Sequence, residues 1–107
     1  MSADPCADPP IACSLDAGAL ADRVGEWRAL VASSVVSLVA EPTAVHLVLD
    51  PTDVALVAAV GLAQQEKQCC PFFGVAVDIG ADHRTLSLRV PDGAEEVMAT
   101  FVAALRS

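Results

Sequence analysis

The apolar residues of this chain change period four times, and that succession decides what it can fold into. From Asp16 to about Ser33, Leu20, Val24, Trp27 and Val31 recur at three- and four-residue steps. That is one face of a helix, with Asp22, Arg23, Glu26 and Arg28 on the solvent side. Val35 to Ala40 is short and β-branched, and Glu41-Pro42-Thr43 reads as a turn in which Pro42 presets its own φ angle. Val45, Leu47 and Leu49 then alternate with His46 and Val48, which completes a hairpin. Asp50-Pro51-Thr52-Asp53 opens a second helix, capped by Asp50 or Thr52, that runs through Val54, Val57, Val60 and Gly61 to about Gln68. Pro71 stops it. Phe73, Val75, Val77 and Ile79 alternate with Gly74, Ala76 and Asp78. Gly80-Ala81-Asp82-His83 turns the chain, and Leu86, Leu88 and Val90 alternate with Thr85, Ser87 and Arg89. Pro91-Asp92-Gly93 leads into a last helix with Ala94, Val97, Met98, Phe101 and Leu105 on one side.

Two helix–hairpin units and a closing helix follow from this pattern, a coarse internal repeat. Ile11-Ala12-Cys13 adds a short strand or an extended lead-in, and Ser14 or Asp16 can cap the first helix. Cleanly alternating strands need only one covered face. The expected fold is therefore α+β: a two-layer domain with an antiparallel sheet of four or five strands and three helices, in the order (β)αββαββα. Residues 1–10 hold three prolines and two aspartates without periodicity and read as a disordered arm. Residues 11–107 then form a single domain, in which a chain of this size buries about 65% of its unfolded surface. Within the apolar 54% of the chain, 20 Ala and 15 Val dominate, so the core should be finely packed, with Trp27, Phe72, Phe73 and Phe101 as its only rings. No Gly-rich turn joins a strand to a helix, so neither a dinucleotide site nor a P-loop is expected.

Fourteen acidic residues against six basic ones set a formal charge of −8. That balance argues against nucleic acid, whose phosphates need Lys and Arg, and against anionic membranes. The first ten residues have neither the basic n-region nor the apolar h-region of a signal peptide, and the apolar run Ala29 to Ala40 is too short to span a bilayer. The expected compartment is the cytoplasm, where thiols stay reduced. Clustered cysteines there point to metal or redox chemistry rather than to disulfide staples.

Four cysteines are present, at positions 6, 13, 69 and 70. Cys69 and Cys70 sit where the second helix must end, and Cys70, preceding proline, is pushed into an extended conformation. The break can swing both sulfurs toward one point, which two neighbours about 100° apart on a regular helix do not easily reach. Of Phe72 and Phe73, one ring can enter the core while the other shields the thiols. A soft metal ion wants polarizable thiolates in a partly dry pocket. Cys13, at the end of the first extended segment, is the best third ligand, and the metal set read from the sequence is Cys13, Cys69 and Cys70. Cys6 on the arm reads as a bystander. Glu66, one turn before the pair, has three readings: hard ligand, proton acceptor for the thiols, or plain solvated helix surface, the last being the ordinary one. His46 and His83 read as surface, Trp27 as core or partner surface, and Glu95-Glu96 as acids suited to a helix N-terminus.

The segments Ile11-Ala12-Cys13-Ser14-Leu15, Glu26-Trp27-Arg28-Ala29-Leu30 and Glu66-Lys67-Gln68-Cys69-Cys70-Pro71-Phe72-Phe73 resemble a small bacterial cysteine domain. That domain occurs alone or joined to MerR-type, heavy-metal-responsive regulators. The resemblance spans about Ile11 to Phe101 and is most specific at Cys-Cys-Pro-Phe-Phe. It implies soft-metal binding with mercury as the leading ion and Cys13, Cys69 and Cys70 as the thiols, in heavy-metal resistance or sensing. This chain departs from the fused form in carrying no helix-turn-helix segment, which puts direct transcriptional control in doubt.

Three functions compete at this stage. The first is a soft-metal binding protein; Hg(II), Cu(I), Zn(II) and As(III) all suit thiolates, and a trigonal three-sulfur site fits Zn(II) least, since zinc wants a fourth ligand. The second is a thiol enzyme or redox protein working through Cys69 or Cys70, organomercurial-type cleavage included. It ranks lower because a helix C-terminus opposes a thiolate, only Lys67 is nearby in sequence, and no Cys-x-x-Cys is present. The third is an interaction module with packed cysteines. A protein partner or a homodimer stays open under each.

Overall fold

The computed structural model describes residues 17–106. Its elements are α1 (Ala17–Ser34), β1 (Val35–Glu41), β2 (Ala44–Leu49), α2 (Asp53–Cys69), β3 (Gly74–Ile79), β4 (Arg84–Arg89) and α3 (Glu95–Arg106). The four strands form one sheet in the order β1-β2-β4-β3, and every neighbouring pair is antiparallel. The fold is α+β, as expected. The extended lead-in at residues 11–13, the disordered arm and the cap of the first helix fall outside the described residues, as do Cys6 and Cys13.

Alternation explains why the sheet needs only one covered side. On β2, Val45, Leu47 and Leu49 are buried while His46 and Val48 are partly exposed; on β4, Leu86 and Leu88 are buried while Thr85 and Ser87 are not. Register places Val45 opposite Leu88 and Leu47 opposite Leu86, so the four large side chains meet on the covered face. Trp27 and Leu30 of α1, Ala59, Leu62 and Ala63 of α2, and Met98, Val102 and Leu105 of α3 close over them.

Local signals set the element ends. Thr52 is the N-cap of α2, its hydroxyl accepting from the Ala55 amide at 3.1 Å. At the other end Cys70 leaves helical geometry (φ −128°, ψ 77°), as a residue before proline should. Gly93, between β4 and α3, has φ +96°, where a side chain would be strained.

One expectation needs correction. The apolar face predicted for α2 is the wrong one: Val54, Val57 and Val60 are 78, 71 and 41% exposed. The buried face is Ala55, Ala59, Leu62, Ala63, Glu66 and Cys69. Residues 54–63 are apolar or glycine throughout, so periodicity cannot choose a side. Alanines on the inner face leave no bulk between the helix and the layer beneath it, and that face carries Glu66 and Cys69 inward with it. β3 forms where its alternation predicts. Val75 and Val77 do lie opposite Leu88 and Leu86, on the covered side of the sheet, yet all six residues of β3 are exposed. β3 is an edge strand, and the helices cover the central pair instead.

Candidate metal centre

The centre is built where α2 breaks. Cys69 is the last helical residue and Cys70 the first beyond it; the Cys70 amide donates to the Glu66 carbonyl at 2.8 Å, and the Phe73 amide to the Cys70 carbonyl at 3.0 Å. These two bonds hold the turn through Pro71 and bring the sulfurs together. Cys69 Sγ and Cys70 Sγ are 3.6 Å apart, in contact but well beyond the ~2.05 Å of a disulfide. Both residues are buried.

Glu66 joins them. Its carboxylate Oε2 is 3.7 Å from Cys69 Sγ, and Glu66, Cys69 and Cys70 each offer a ligand atom within 4.8 Å of the others. The ordinary expectation, a solvated helix residue, is overturned: Glu66 is 4% exposed. Burying a carboxylate demands partners. Trp27 Nε1 donates to Glu66 Oε1 at 2.8 Å, and Arg23 Nη1 lies 3.6 Å from the same oxygen. One carboxylate oxygen is thus held from α1, and the other faces the sulfur.

Arg23 is a second correction. Its place among the solvent-side residues of α1 fails, because its side chain is 13% exposed and its Nη1 reaches Cys69 Sγ at 3.4 Å. Burial works against the guanidinium charge, but the hydrogen bond to Cys69, the charge of Cys69 and the carboxylates of Glu66 and Glu26 outweigh it and raise its pKa. A fixed cation beside Cys69 favours its thiolate, offsetting the helix C-terminus. Lys67, the only cation close in sequence, instead donates to the Pro71 carbonyl.

Arg23 and Trp27 were the parts of the site that sequence reasoning missed. They stand four apart on α1 and so share a face. A buried indole N–H needs an acceptor, and Glu66 was the acid nearest the cysteines; that requirement was the available signal.

An aromatic wall completes the surroundings. Phe72 and Phe73 are both buried and stacked (centroids 5.0 Å), so neither ring is left outside the core. Phe73 packs on Phe101 at 5.5 Å, and Phe101 meets Trp27 edge-on at 5.3 Å. Between these rings and α3 lies a cavity of about 350 Å³, whose lining includes Glu66, Cys70, Val24, Val97 and Phe101. The histidines lie elsewhere. His46 pairs with Ser87 (2.7 Å) and Glu41 (3.3 Å) on the uncovered face of the sheet, and His83 sits in the β3–β4 turn between Asp78 and Asp82. Of the metal set Cys13, Cys69 and Cys70, the structure brings the last two together with Glu66, and Cys13 lies outside the described residues.

The chain matches no family model, no curated protein and no solved structure. Its functional reading therefore rests on these side chains. A buried carboxylate and two buried sulfurs within mutual ligand distance are a group that could hold a metal ion.

Proposed function

We propose that this protein binds a soft metal ion through Cys69 and Cys70, with Glu66 as an oxygen ligand or proton acceptor. The observation that carries the reading is the convergence of the three donor atoms in a buried pocket. Charge supports it. Thiolates at Cys69 and Cys70, the Glu66 carboxylate and the Arg23 cation sum to −2, which a divalent ion cancels.

The sulfur spacing narrows the coordination. With metal–sulfur bonds of about 2.3 Å, a separation of 3.6 Å corresponds to a bond angle near 100°. A linear two-thiolate ion would need sulfurs about 4.6 Å apart at that bond length. Pyramidal or tetrahedral binding fits the pair as it stands, a planar trigonal ion would need the sulfurs about 4.0 Å apart, and Cys13 is the proposed third thiol. Mercury(II) in a three-coordinate site is the favoured ion, with Cu(I), As(III) and Zn(II) as the others of the same softness. The resemblance to the MerR-associated cysteine domain supports a role in heavy-metal resistance or sensing. Enzymatic thiol chemistry is the lesser reading.

Titration with Hg(II), Cu(I), Zn(II) and arsenite under reducing conditions, followed by native mass spectrometry, tests the proposal. One ion should bind per chain, and the double variant C69S/C70S should lose it. Failure of every ion to bind stoichiometrically, or equal binding by the double variant, would overturn the reading.

A further inference from the structure

The cavity beside the thiols has a composition that a bare ion does not use. It holds about 350 Å³, and Val24, Phe72, Phe73, Val97 and Phe101 are among the side chains that line it. Glu66 and Cys70 belong both to this lining and to the donor cluster, so the cavity starts where the metal centre ends. The pocket opens to solvent beside Glu96 and Thr100, and its volume exceeds the roughly 150 Å³ that holds a benzene ring. Here Cys70 lines a pocket with room for an organic group, and the Cys69 sulfur stands 3.6 Å behind it.

Resting on the soft-metal reading, we infer that among arsenic(III) ligands the site prefers one that carries its own apolar substituent, a trivalent arylarsenical. The sulfur geometry selects this class. Trivalent arsenic makes three bonds with angles near those of a pyramid, and an aryl group already occupies one. The two remaining bonds match a sulfur pair 3.6 Å apart. The product, an arsenic bonded to one carbon and two thiolates, is neutral, and a neutral group suits an aromatic-walled site better than a charged one. An organomercury cation, which seeks a linear partner, needs only one thiol and leaves the pairing unexplained.

The binding step balances without any oxidant or reductant. An aryl-arsenic dihydroxide meets the two thiols; two arsenic–oxygen bonds break and two arsenic–sulfur bonds form. Each hydroxide leaves as water with one thiol proton. Glu66 Oε2, 3.7 Å from Cys69 Sγ, is placed to carry the Cys69 proton toward the departing hydroxide. Trp27 and Arg23 hold the opposite oxygen, which keeps Oε2 directed at the sulfur.

The test compares phenylarsine oxide, its methyl counterpart and arsenite on the reduced full-length protein, with each affinity referenced to that of dithiothreitol. The phenyl compound should bind one per chain and at least about tenfold more tightly than the methyl compound, because the ring's apolar surface leaves water. Val97→Phe, which fills the cavity from α3, should erase that preference while arsenite still binds. NOEs from the bound phenyl protons to the Val24 and Val97 methyls should appear in the unaltered protein, a readout independent of any variant's folding. Equal referenced affinities for phenyl and methyl, or a phenyl group without those NOEs, overturn the inference and leave soft-metal binding intact if arsenite binds. Binding of none of the three, together with no Hg(II) binding, overturns both.

Discussion

At the residue scale the protein devotes its one tryptophan to a single acceptor. Trp27 is 1% exposed, and its indole N–H ends on Glu66. Trp27→Phe keeps most of the apolar volume and removes that donor. The expected cost is about 1–3 kcal/mol, read by urea denaturation, because a buried carboxylate loses a partner. Soft-metal affinity should fall in the same variant, since Glu66 Oε1 then keeps only its contact with Arg23. Because bound sulfurs must give up their protons, metal affinity should also weaken as the pH is lowered, and proton release on binding can be followed in weakly buffered solution. The cysteine pair, its place at a helix end and the effect of Pro71 were all legible in the sequence, since each depends on residues adjacent in the chain. Burial of Glu66 and the inward turn of Arg23 were not, because they depend on how α1 lies against α2, a contact 39 or more residues apart in sequence.

At the element scale the lesson is in α2. The order of helices and strands could be read because turns, caps and prolines are local; the buried side of α2 could not, because both its sides are apolar. The two assignments of its face make opposite forecasts. Val57→Lys should change stability by no more than about 0.5 kcal/mol, as for other exposed surface positions. Leu62→Ala should cost about 2–5 kcal/mol, as for a core leucine. A chemical denaturation series on the two variants decides between the faces. β3 supplies a further contrast. It pairs only with β4, while β2 is paired on both sides, so part of the β3 backbone should exchange its amide hydrogens far sooner than β2 does.

At the scale of the whole molecule, ligand and fold are linked. An ion held at 100 times its dissociation constant adds about 2.7 kcal/mol to the folded state, which for a domain of this size raises Tm by about 10 °C or more, and a chelator should reverse the shift. A smaller dependence on pH comes from the far end of the sheet. Hydrogen bonds to Asp78, then Asp82, raise the pKa of His83 above its ordinary 6.5. Its contribution to stability is therefore complete below pH 6.5 and fades as the pH rises through the raised value. His83→Gln should flatten that step in a pH series of urea midpoints. The strand order carries a consequence of another kind. With β2 and β4 antiparallel at the centre and β1 and β3 outside them, the two hairpins take equivalent places on either side of the midline of the sheet. In one unit Ser34 runs straight into Val35; in the other, residues 70–73 intervene between helix and strand. The chain thus contains two versions of one junction, one that only supports the sheet and one that has been opened to hold sulfur, and the first serves as a built-in control for the second.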